Sequence, residues 1–193
     1  MTKESRWRHA RSAHASGTSF QAGRPDVDIS AATGDLDPLL LRQVFGRVPS
    51  GVVAVAALID GIPAGLAAST FVPVSLDPPL VAVCVQHTST TWPRLRGVPE
   101  LGVSVLAEHH HGAARQLAGP AADRFAGLSL NATPHGAVIL GDATAGLVCG
   151  IEQSHRAGDH DIVVLRVHAV TETDGATPLV FHASTFHGLR SAS

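Results

Sequence analysis

Tyrosine is absent from this 193-residue chain, and lysine occurs once, at Lys3, so arginine carries all the other positive charge. We read that as a compositional bias with no bearing on function. Cysteine is scarce too. Cys84 and Cys149 stand 65 positions apart with no C-x-x-C pair, in apolar strand-like runs, as small buried hydrophobes in a reducing cytoplasm would. No apolar run reaches the roughly eighteen residues of a membrane span. The basic N-terminus is followed by Ser, His, Gly and Thr, so no secretory signal is expected. Basic excess is confined to the start of the chain. Residues 1–24 hold Lys3, Arg6, Arg8, Arg11 and Arg24 against Glu4, whereas residues 25–193 hold nine Arg against fifteen acids, a net of −6. That sign argues against nucleic acid as a partner. Missing as well are G-x-G-x-x-G after a strand, the phosphate-loop signature, H-E-x-x-H and G-x-S-x-G, so any dinucleotide is held without a Rossmann half.

What is present describes a compact domain: 45% hydrophobic and 16% charged residues. Residues 1–34 are rich in Ala, Ser, Gly, Thr and Arg without periodicity and are expected to be a disordered tail, with the domain spanning 35–193. Asp37-Pro38 has the form of an N-cap and first helical residue, and Leu40, Leu41, Val44, Phe45 and Val48 recur at helical spacing, predicting a helix over 38–47. Strands are expected over 52–59 and, after the Asp60-Gly61 turn, to about Ser69. Others are expected over 80–86, 101–106, 144–155, 161–172 and 178–183, with helical pieces near Trp92–Arg96 and from His111 to Ala118. The fold class is mainly β: an antiparallel barrel with helices packed outside.

Three segments carry candidate chemistry. Gly65 to Phe71 closes an apolar run with small and hydroxyl-bearing residues, so a flat ligand can approach its backbone, and Ser69 and Thr70 add hydroxyl donors. Pro78-Pro79 restrains the entry into the next strand. Gln86-His87-Thr88-Ser89-Thr90-Thr91 places consecutive hydroxyls ahead of a helical piece, an arrangement that suits an anion or an ordinary capping loop. Gly158-Asp159-His160-Asp161 puts His160 at the rim of a hairpin, where an imidazole can donate a hydrogen bond or stack on a ring. His109-His110-His111 is expected to be a solvated helix start rather than a metal site. Asp123-Arg124-Phe125 reads as a surface charge pair with an apolar anchor.

Together these residues resemble the flavin reductase family, the NAD(P)H-dependent partners of two-component flavin monooxygenases, over about Leu39 to Leu189. The resemblance rests on Arg47 to Val52, Asp60-Gly61, Gly65 to Phe71, Ser75 to Pro79, Val83 to Val85, Val103 to Leu106, Asp123-Arg124-Phe125 and Gly158-Asp159-His160. It implies an FMN-binding split β-barrel that forms a homodimer with flavin at the subunit interface. By position, Leu66, Ala67, Ala68, Ser69 and Thr70 are then expected along the isoalloxazine ring, and Cys84, Val85 and Gln86 along the ribityl chain. Ser89, Thr90 and Thr91 are expected at the phosphate, and His160 at the nicotinamide side. The implied cofactor is FMN or FAD, with NADH or NADPH as co-substrate and a flavin-dependent monooxygenase as partner. No metal is expected. Three residues depart from the family's habit: Ala67 where Thr is common, Ser104 where Asn is frequent, and Leu117 where Phe is frequent. These departures leave two alternatives open, a flavin carrier without reductase turnover and a stand-alone split-barrel oxidase or oxygenase.

Overall fold

The computed structural model describes residues 36–189, so the tail expected over 1–34 lies outside the described residues. The main unit starts at Asp37, whose carboxylate accepts the Leu39 N–H at 2.9 Å and caps helix α1 (Pro38–Phe45). Twelve strands follow among the described residues: β1 (Ser50–Gly51), β2 (Val53–Ile59), β3 (Ile62–Ala68), β4 (Val72–Leu76), β5 (Pro79–Gln86), β6 (Leu101–Val105), β7 (Leu130–Ala132), β8 (Val138–Leu140), β9 (Ala145–Ala157), β10 (His160–Glu172), β11 (Leu179–His182) and β12 (Thr185–Gly188). Helices α2 (Trp92–Leu95) and α3 (His111–Leu117) interrupt them.

Seven strands form one antiparallel sheet in the order β3-β2-β6-β9-β10-β5-β4. The two edge strands, β3 and β4, are consecutive in sequence and joined only by Ser69–Phe71, so the sheet curls until its edges meet. The Thr70 hydroxyl closes that seam, accepting the Cys84 N–H at 2.9 Å and donating to the Cys84 carbonyl at 3.1 Å. A side chain thus replaces the next rung of the β4–β5 ladder, whose last backbone pair in that direction is Val72 with Ala82. The result is the mainly β, split-barrel architecture. Outside it lie the three-stranded sheet β1-β11-β12 and the β7–β8 hairpin.

Period-two alternation explains why β2 is buried on both faces. Val53, Val55 and Ala57 point into the barrel with Val81, Val83, Leu101, Val103, Val163 and Leu165. Val52 and Ala54 point outward, where Ala113, Ala114 and Leu117 of α3 pack with Leu106, Leu140 and Leu179. Between β2 and β3, Asp60 (φ 54°) and Gly61 (φ 76°) both take left-handed backbone, the geometry of a two-residue hairpin.

Five strands were not expected, among them the two-residue β1, too short to carry a pattern. Pro73 makes the β4 segment resemble a loop, but an edge strand tolerates proline, and the ladder shifts register between Pro73 and Ser75. β7, β8 and β12 are only three or four residues long and carry no usable alternation. Ser104, fully buried, accepts the Leu140 N–H at 2.9 Å, so this departure from the family's habit fastens β8 to the barrel.

Candidate active site

A cavity of about 360 Å³ lies where the free edge of β3 faces the C-terminal end of β5. Leu66, Ala67, Ala68, Ser69 and Thr70 form one wall and Cys84, Val85 and Gln86 the other, with Ser89 and His160 at its rim and Leu117, Ala118 and Arg124 completing it. The volume falls within the range of ligand sites, roughly 300–1,000 Å³.

Hydrogen-bond parity shows what the β3 wall offers. Leu66 and Ala68 pair with Val55 and Val53 of β2. On the opposite edge the Gly65 carbonyl accepts from Arg124 Nη1 at 2.9 Å. Within an antiparallel strand the N–H and C=O of one residue point to the same side, alternating along the chain. Ala67 therefore presents both main-chain groups on the uncovered edge, which is the cavity wall. The side chains of Ala67 and Ala68 themselves are only methyl groups.

The hydroxyls are partly committed. Thr70 uses its oxygen and proton on Cys84, so it shapes the wall instead of serving a ligand. Ser89 Oγ accepts the Trp92 N–H at 3.1 Å and caps α2, yet keeps its own proton to donate. Thr91 is buried, and its hydroxyl accepts from Arg124 Nη1 at 2.6 Å; it lines a neighbouring cavity instead of this one. Thr90 is exposed and lines neither of the two.

His160 begins β10, opposite Gln86 in the ladder, directly after a turn in which Gly158 has φ 64°. Its Nδ1 lies 2.7 Å from Asp159 Oδ1. The hydrogen bond from His160 holds the Asp159 carboxyl below the usual carboxylate range, so the acid is ionised and accepts only. Nδ1 then carries the proton, leaving Nε2 as the ring nitrogen free for a ligand. Beside it, His87 Nε2 and Asp161 Oδ1 are 2.8 Å apart, and the His87 N–H bonds to the Asp159 carbonyl. The imidazole at the rim is therefore oriented, a feature the turn sequence alone does not reveal.

Two expectations need correction. Arg124 is no surface partner of Asp123. Its Nε donates to the Gly119 carbonyl at 2.9 Å while Nη1 bridges Gly65 and Thr91, so one half-buried guanidinium ties β3, α2 and the end of α3 together. Nothing in the D-R-F triplet signals this, because the partners are 5 to 59 residues away. The histidine run is not simply solvated either. His110 Nδ1 accepts the Ala107 N–H at 3.1 Å, and burial, then the neighbouring His109, pushes its pKa down. Ala67 and Leu117 both line the cavity, whereas Ser104 does not.

Beyond Arg124 a second cavity of about 520 Å³ continues along β3, lined by Ile62, Pro63, Ala64 and Gly65, by Thr91 and Arg94, and by residues 121–126 apart from Asp123.

Comparison with known proteins gives a consistent picture. Residues 45–190 match the family model described as flavin reductase like domain. The actinorhodin polyketide dimerase of Streptomyces coelicolor is 38% identical, with 81% of this chain and 89% of that protein covered. The reductase subunit HsaB of a flavin-dependent monooxygenase from Rhodococcus jostii is 32% identical over 83% of this chain and 86% of its own length. Among solved structures, the NADH:FAD oxidoreductase SgcE6 of Streptomyces globisporus, in complex with NAD and FAD fragments, superposes with a TM-score of 0.75 at 34% identity, covering 81% of this chain and 93% of that one.

Proposed function

Because the chain belongs to the flavin reductase family, we propose that it reduces flavin with NADH or NADPH in the cavity between β3 and β5 and passes the reduced flavin to a flavin-dependent monooxygenase. One observation carries this assignment to the cavity: a wall of small residues with the main-chain groups of Ala67 exposed, facing a rim that holds Ser89 and an oriented His160. These residues fit the group. A flat ring with carbonyl and nitrogen acceptors needs main-chain donors and no bulk, a ribityl chain needs a strand end such as Cys84–Gln86, and a phosphate needs hydroxyl donors and a cation such as Ser89 and Arg124.

Bound flavin, FMN or FAD, supplies the hydride-accepting chemistry. The chain's own residues bind, orient and screen. The Ala67 N–H is a donor fixed by the β2–β3 ladder, able to stabilise charge on a ring acceptor without reorganising. Ser89 would hold a flavin phosphate by donating a hydrogen bond from its uncommitted O–H. Leu117 and Ala118 keep water from the ring side of the cavity. His160, held through Nδ1 by Asp159, directs Nε2 toward the nicotinamide carboxamide, a positioning task needing no proton transfer.

The protein acts as a homodimer. Support comes from apolar side chains that a single chain leaves in solvent: Leu39, Leu40, Val44 and Phe45 on α1, and Val72, Val74 and Leu76 on β4. A monomer at micromolar concentration with undiminished flavin affinity would contradict this. The assay for the activity is anaerobic mixing of the purified chain with FMN, FAD or riboflavin and each nicotinamide. Oxidation of NADH or NADPH with flavin reduction is expected. Tight flavin binding without reduction would make the protein a carrier, and product formation without a partner oxygenase would make it a stand-alone oxidase.

A further inference from the structure

His160 stands at the cavity rim on slender support. Among the described residues its ring has one hydrogen bond, to Asp159 Oδ1, and that side chain is itself 80% exposed. An exposed pair in a turn holds little by itself, because water competes for both partners. The residues on either side of His160 are nevertheless fastened, and both by His87. Its main-chain N–H donates to the Asp159 carbonyl at 2.9 Å, and its Nε2 lies 2.8 Å from Asp161 Oδ1. A carboxylate only accepts, so Nε2 carries the proton in that bond. Successive side chains of a strand point to opposite faces, so the His87 ring grips β10 on the face away from the His160 ring. His87 follows β5 directly and belongs to the loop in which the Ser89 N–H bonds the Gln86 carbonyl and Ser89 caps α2. It does not itself line the cavity.

From this arrangement we propose that His87 is a positioning residue for nicotinamide use: by holding Asp161 and the Asp159 carbonyl it fixes the strand start from which His160 faces the cavity. The inference rests on the reading of His160 as the residue that orients the nicotinamide. The main-chain bond survives any change of side chain, so the bond to Asp161 is the part that substitution can remove.

The test is a double-mutant cycle on the full chain, with flavin reduction by NADH and NADPH followed anaerobically and flavin affinity measured by titration. His87 is exposed, so its truncation opens no core cavity. His87→Ala should lower kcat/KM for the nicotinamide by about threefold to tenfold, with the flavin Kd unchanged. Asp161→Ala should reproduce that loss. His87→Gln, whose amide places a donor near the position of Nε2, should restore most of it. Added to His160→Ala, the His87→Ala change should cost nothing further, since a residue acting through His160 has nothing left to position. Long-range proton–nitrogen NMR spectra, recorded above the imidazole titration range, give a readout independent of turnover. His160 should be the Nδ1–H tautomer in the wild type and in His87→Gln, and a tautomer average in His87→Ala. Unchanged kcat/KM in His87→Ala, or a loss that adds in full to that of His160→Ala, would overturn the proposal. So would a His160 signal in His87→Ala identical to that of the wild type. A wild type that oxidises neither nicotinamide, or a silent His160→Ala, would instead remove the reading on which the inference rests, and the spectra would still decide whether His87 holds His160.

Discussion

Replacing Gly65 by alanine should unsettle the cavity wall through geometry alone. A Cβ at Gly65 would fall 2.6 Å from the Val55 carbonyl oxygen, 2.7 Å from Phe125 Cζ and 2.8 Å from Ala56 Cβ. Real Cβ atoms do not approach so closely, and two of the three neighbours belong to β2, at the centre of the core, so relief must come from β3 and Phe125. Overpacking of this kind costs about 1–3 kcal/mol. For a domain of this size 1 kcal/mol corresponds to roughly 2–4 °C, so thermal unfolding should fall by about 2–12 °C. Displacing β3 also moves the Gly65 carbonyl from Arg124 and the Ala67 N–H from its place on the wall, so the flavin Kd should rise in parallel. Gly112→Ala is the control. It lies on the exposed face of α3 with nothing within 4 Å of its Cβ, and should raise stability by up to about 1 kcal/mol without touching flavin affinity. A Gly65→Ala protein with unchanged melting temperature and unchanged flavin Kd would refute the close-packing account of the wall.

His160→Ala should lower kcat/KM for NADH or NADPH by about tenfold to a hundredfold with flavin affinity preserved, as steady-state kinetics and titration can show. Ser89→Ala should weaken FMN more than riboflavin, which lacks the phosphate; equal effects would remove Ser89 from phosphate binding. Since burial lowers the His110 pKa in the fold, the unfolded chain takes up a proton first on acidification, so that group's contribution to stability is complete above about pH 6.5 and declines below it. Denaturant titrations at several pH values should show that decline, and His110→Gln should flatten it. Burial pushes the Cys149 thiol up to about 12, so thiol reagents should spare it and label Cys84 on the cavity wall, more slowly once flavin is bound.

The legibility of this fold in its sequence follows the reach of each signal. Alternation in Val53–Ile59 and the apolar run of Pro79–Gln86 mark strands whose pattern is local, and the Asp60-Gly61 turn fixes one hairpin. β4 escapes because Pro73 and its exposed valines resemble a loop unless the sheet edge is known. At the candidate site, the absence of bulk in 65–68 is readable directly, and the cavity gathers every expected residue except Thr90 and Thr91. Thr70 looked like a ligand donor because its partner, Cys84, becomes a neighbour only when the sheet curls. Arg124 was unreadable for the same reason: its acceptors come from three elements that the chain sequence keeps far apart.

The exposed main chain of Ala67 has a practical consequence for anyone mapping this protein by mutagenesis. A peptide N–H is untouched by changing the side chain attached to it, so an alanine scan passes over Ala67 in silence, and conservative replacements register only as bulk. Selection acting on such a wall constrains size and strand geometry and leaves chemical identity free to drift. The informative perturbation is to the backbone itself: exchanging the Ala67 amide for an ester by semisynthesis deletes the donor while keeping every side chain, and would read out its contribution with nothing else altered.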